Sequence, residues 1–118
     1  MLFLPIGGTV RGQAAAASVI EMVINTDVPT PRELYRGTLT TNLVDLGIEA
    51  ESNYGRPLRV RAVNTDSSAR LVTLKTYSAA GTASTEFSVT LAAGDHLVWD
   101  EAGLRVVDSS GRIRHNNS

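Results

Sequence analysis

Short runs in which apolar and polar side chains alternate, each ended by a cluster of Gly, Asn, Asp or Ser, recur along this chain. Alternation with period two puts successive side chains on opposite faces, so such a run gathers its apolar residues on one side only as a β-strand. Residues 86–91 are the clearest case, with Phe87, Val89 and Leu91 on one side and Glu86, Ser88 and Thr90 on the other. Residues 58–62 repeat the pattern, with Leu58, Val60 and Ala62 opposite Arg59 and Arg61, and residues 70–77 set Val72 and Leu74 against Thr73, Lys75 and Tyr77. In the second half, turn-forming clusters recur at roughly 8 to 14 residues, the spacing of a sandwich or barrel. The pattern predicts an all-β fold, an antiparallel β-sandwich or barrel-like jelly roll of about seven or eight short strands with an extended N-terminal arm.

The punctuation between strands has its own chemistry. Asn, Asp and Ser at 64–68 bond their own backbone, which predicts a hairpin joining 58–62 to 70–77. Residues 78–84 are small and read as an exposed tip. Residues 92–95 and 108–111 are further turns, followed by strands at 96–99 and near 112–114. The first half is less regular. Residues 19–24 are β-branched and apolar on both faces apart from Glu21, as in a strand covered on two sides. The Ala-rich start of 14–22 also admits a helix, against which stand Val19, Ile20, Val23 and Ile24. Pro29 and Pro31 end that strand, and 34–39 and 43–48 read as two more. Residues 1–17 are apolar and Ala-rich and read as an arm, ahead of a sandwich at 18–114 and a polar tail at 115–118. On that division a chain lacking residues 1–13 still folds.

With 118 residues there is room for one core. The absence of cysteine removes disulfides and thiolate metal sites, so packing must supply the stability. A formal net charge of −1 sets up no field that would draw nucleic acid or an anionic membrane. No segment is apolar over the roughly 20 residues of a membrane helix. The apolar opening at 1–6 has no basic region and breaks at Pro5 and Gly7, so it reads as part of a soluble, unprocessed chain.

Catalytic constellations are missing from the pattern. His96 and His115 stand alone, without the three or four ligands of a zinc or iron site, and no calcium-type spacing of acids occurs. Serines fall in turns and none lies in a Gly-x-Ser-x-Gly elbow. Residues 7–12 are glycine-rich but lack the Gly-Lys-Ser/Thr ending of a phosphate loop. The pairs Glu49 with Glu51 and Asp100 with Glu101 are candidates for acid and base work on a sugar, but that needs a cleft lined with aromatic rings and the chain has six aromatic residues, one of them Trp, so a solvated turn is the better reading. Trp99 reads as a core residue, with a sugar platform or a protein hot spot as the alternative, and Tyr35, Tyr54 and Tyr77 share that ambiguity. No catalytic residue, cofactor or metal is expected.

Ten of the eleven basic residues are arginine, the side chain that crosses protein interfaces best, whereas lysine is depleted there. Arg59 with Arg61, and Arg112 with Arg114, each form a two-residue stripe. With Leu2, Phe3, Leu4, Ile6 and Arg11 of the arm they are the candidate interface residues.

The run Leu34-Tyr35-Arg36-Gly37-Thr38-Leu39, then Val63-Asn64-Thr65 with 67–74, then Val89-Thr90-Leu91-Ala92-Ala93-Gly94-Asp95, resembles small β-sandwich virion proteins of tailed bacteriophages, over residues 34–114. The resemblance implies a structural subunit without enzymatic activity. It implies a capsid cement or decoration protein that binds the major capsid protein and copies of itself, as a trimer. Assembly would take place in the host cytoplasm, with no nucleic acid or membrane as direct partner. A neck or tail accessory subunit is the alternative within the virion, and a carbohydrate- or receptor-binding module the alternative outside it. Residues 1–13 and the loops at 25–31 and 78–84 are the expected contacts, the arm by adding a strand to a neighbour.

Overall fold

The computed structural model describes residues 2–27, 30–49 and 56–117. Among them are eleven strands and no helix: β1 (Leu2–Leu4), β2 (Thr9–Ala14), β3 (Ile20–Thr26), β4 (Arg32–Thr38), β5 (Val44–Glu49), β6 (Arg56–Asn64), β7 (Arg70–Tyr77), β8 (Ala83–Leu91), β9 (His96–Asp100), β10 (Gly103–Val107) and β11 (Ile113–Asn117). The larger sheet runs β11-β10-β9-β6-β3-β4, with β1 added to the first residues of β6, and the smaller runs β5-β2-β7-β8. All pairings are antiparallel.

Alternation decides what each strand buries. Ile20, Met22 and Ile24 of β3, Leu58 and Val60 of β6, Leu97 of β9 and Val106 of β10 enter one core with Val10 of β2, Ile48 of β5, Val72 and Leu74 of β7, and Phe87 and Leu91 of β8. Each fully buried aliphatic side chain contributes roughly 1.5–3 kcal/mol, so this shared layer holds the two sheets face to face. Trp99 packs against the same core and meets Phe87 edge-on at 6.0 Å between ring centroids.

Four expectations are corrected. Residues 1–17 are no free arm: β2 lies inside the smaller sheet between β5 and β7, and Leu2, Leu4, Val10 and Ala14 are core. Their alternation spans too few residues in β1 to read as a strand alone. The strands number eleven, because β1 and β2 join the sandwich and β11 runs to Asn117 through the presumed tail. Residues 20–26 are covered on one side only, since Glu21 is exposed and Val23 half-buried.

The fourth correction concerns 64–68, which form an arch from one sheet to the other and not a hairpin, since β6 and β7 lie in different sheets. Asn64 is the reason. It is fully buried; its Nδ2 donates to the carbonyls of Ser68 at 2.9 Å and Leu91 at 2.8 Å, and its Oδ1 accepts from the Asp66 N–H at 2.9 Å. Its backbone bonds Asp95 and Gly94 in the second arch, between β8 and β9. A hairpin would have spent those backbone groups on β7; here they tie the two arches together, and β7 is free to enter the opposite sheet. Asp95, also buried, accepts the Ala92 N–H at 2.8 Å. Gly94, at φ +78°, makes the left-handed bend that a side chain would oppose.

Candidate functional site: an apolar loop end and the outer sheet face

The ends of β1, β3, β5, β7 and β9 and the starts of β2, β4, β6, β8 and β10 fall at one end of the sandwich, because the strands run antiparallel and cross between sheets in register. There the β1–β2 turn lies against the β7–β8 turn: a Cβ placed on Gly7 would stand 2.8 Å from the Ala79 Cβ. Gly7 has φ +76°, so glycine is required there twice over. This close approach brings Ile6, 50% exposed, to the exposed Ala79 and Ala80; Phe3, 62% exposed, stands in β1 just before the turn, on the outer face of the larger sheet. The result is an apolar patch built from two segments that are remote in sequence.

Phe3 also belongs to the outer face of the larger sheet, since its neighbours Leu2 and Leu4 point inward. Along β6 the same face presents Arg59, Arg61 and Val63, and from β3 it receives Glu21, Val23 and Asn25. A groove of about 440 Å³ opens there, lined by Glu21, Val23, Asn25, Arg36, Arg61 and His96 among others.

The expected interface residues separate into groups. Leu2 and Leu4 are core and present no surface. Phe3 and Ile6 are both exposed. Arg59 forms ion pairs with Asp27 at 2.6 Å and with Glu101, and Arg61 is exposed. Arg11 lies on the other sheet, its guanidinium 4.5 Å from the Tyr77 ring centroid, and its enclosed Nε has no hydrogen-bond partner among the described residues. Arg112 sits in the β10–β11 turn, ahead of the strand. The Arg114 and His115 side chains, Met1, Glu51, Tyr54 and residues 28–29 of the β3–β4 loop lie outside the described residues.

The acidic pair Asp100 and Glu101 is engaged in ion pairs. The Arg105 guanidinium, at 2.8 and 3.1 Å, and then the Ala102 N–H hold the Asp100 carboxyl down to about 2. Glu101 is lowered by its own backbone N–H and by Arg59. Both carboxylates are stabilised in the ionised form, which makes them poor proton donors near neutral pH. Among the described residues no three His, Asp or Glu side chains gather where one metal ion would reach them. Tyr35 packs against the core and burial raises its hydroxyl pKa; Tyr77 lies under Arg11.

Sequence reasoning missed Glu21, Val23 and His96 as members of one surface. Their common face depends on the pairing of β3 with β6 and of β6 with β9, which no local pattern specifies. Comparison with protein-family models, curated proteins and solved structures returns no match.

Proposed function

We propose that this chain is a structural subunit of a tailed-phage virion, a cement protein that binds the major capsid protein on the shell surface and turns over no substrate. The observation that carries the reading is the apolar patch of Ile6, Ala79 and Ala80 at the loop end, with the exposed Phe3 in the strand that leads into it. Two large apolar side chains at least half out of water, Ile6 in a turn packed on its neighbour and Phe3 in the strand just before that turn, are the composition of a contact core. The patch also joins two of the segments expected to make contacts, 1–13 and 78–84. The β-sandwich agrees with the fold that the resemblance implies. Apolar burial at about 25 cal/mol per Å², reduced by the cost of association, gives each contact a modest strength that repetition over a shell multiplies.

Quantitative mass spectrometry of particles purified from the genome that encodes this chain tests the reading. Many copies per particle, in fixed ratio to the major capsid protein, are expected. Absence from the particle overturns the reading, and a few copies, as in a single ring, would replace the shell assignment with a neck or tail position.

A further inference from the structure

We propose that two copies of this chain associate through the outer face of the larger sheet, about a two-fold axis. The proposal rests on charges at the centre of that face and uses none of the residues of the loop-end patch.

Four side chains form the centre. Glu21 stands opposite Val63 across β3 and β6, and Val23 stands opposite Arg61 one step along the same face. Glu21 and Arg61 therefore occupy one diagonal of a rectangle, and Val23 and Val63 the other. Both charged side chains are exposed, and among the described residues neither has a hydrogen bond or ion pair. The surrounding arginines differ. Arg36 pairs with Glu33 at 2.8 Å, Arg59 with Asp27 and Glu101, and Arg105 with Asp100. Arg36 feels Glu21 through space only. Charges at the periphery are closed within the chain, while the centre leaves one anion and one cation open beside two half-buried valines.

This pattern matches itself. An acidic partner drawn to Arg61 would be repelled by Glu21, and a basic partner by Arg61. A second copy answers both. In a face-to-face dimer the two-fold axis lies between the sheets. Set along the Val23–Val63 diagonal, it carries Glu21 of each copy over Arg61 of the other and lays valine on valine. Strands about 4.8 Å apart and same-face residues about 6.8 Å apart leave an offset that long Glu and Arg side chains span. Strands of the two copies then cross steeply, closer to the orthogonal than to the aligned class of sheet packing. The groove beside Val23 gives the second copy's side chains a place to enter. Such a contact is two-fold, unlike the trimer that the resemblance implies.

Analytical ultracentrifugation over a range of concentrations tests the contact. The wild type is expected to form a dimer, and E21R and R61E each to weaken it by about tenfold or more, because each variant sets like charges against each other at two places. An equimolar mixture of E21R and R61E is expected to recover the dimer, since two anions of one chain then face two cations of the other. Circular dichroism confirms that these exposed substitutions leave the fold intact. A wild type that stays monomeric, variants that dimerise as the wild type does, or a mixture that recovers nothing would each overturn the proposal.

Discussion

Asn64 decides a connection by itself. Three side-chain hydrogen bonds and two backbone bonds fix the point where the chain leaves the larger sheet. Asn64→Ala strands the Leu91 and Ser68 carbonyls and the Asp66 N–H, and is expected to cost about 2–4 kcal/mol in urea denaturation. Asn64→Asp keeps the acceptor but cannot donate to the two carbonyls, so it is expected to be no milder; an aspartate variant as stable as wild type would contradict this role. In sequence Asn64 is one residue of an Asn-Asp-Ser turn cluster. A hairpin and an arch use the same residues, and the bonds to Leu91, 27 residues away, and to Gly94 and Asp95 separate them.

Asp100 is the second residue with a measurable signature. Arg105 and the Ala102 N–H lower its pKa from 3.8 to about 2, and Asp66 is lowered by Arg70 and the Ser67 N–H. A carboxyl with a depressed folded-state pKa stabilises the fold fully above its unfolded value and loses that contribution as pH falls through its folded value. Thermal unfolding midpoints are therefore expected to decline between about pH 4 and pH 2, and Arg105→Gln to make the decline shallower. An unchanged slope in the variant would show that the Arg105 contact does not tune Asp100.

At the scale of elements, periodicity was legible wherever a strand was long enough to show it. β6, β7 and β8 follow from their alternation, and Phe87 and Leu91 point inward as expected. β1 has three residues, too few for a period, and its place is set by pairing with β6, more than fifty residues away, as the register of Leu2 with Leu58 shows. β2 includes Gly12, and a Cβ there would come within 3.0 Å of Leu39, so the strand gains its position from close packing and not from an apolar side chain at that site. Both strands therefore lie beyond what alternation alone reveals. Removing residues 1–13 takes Leu2, Leu4 and Val10 from the core and opens the smaller sheet between β5 and β7. Any role of this segment in binding has to be tested by point substitution at Phe3 and Ile6.

Over the whole molecule, the sequence carried the fold class but not the surfaces. The sequence pattern joins Arg59 and Arg61 in one stripe and leaves Phe3 apart from them, and the larger sheet brings all three to one side. Leu2 and Leu4 were marked for the same apolar character and are core, because character does not tell which face of a strand looks outward until its pairing is known. The loop-end patch depends on the fit of Gly7 against Ala79, a contact between turns that no residue pattern encodes. Co-sedimentation of the purified chain with empty shells of the major capsid protein from the same genome tests the account most directly. The wild type is predicted to pellet with the shells, and a Phe3→Ser, Ile6→Ser double variant, folded by circular dichroism, to remain in the supernatant. A wild type that does not pellet, or a variant that pellets equally well, would contradict it.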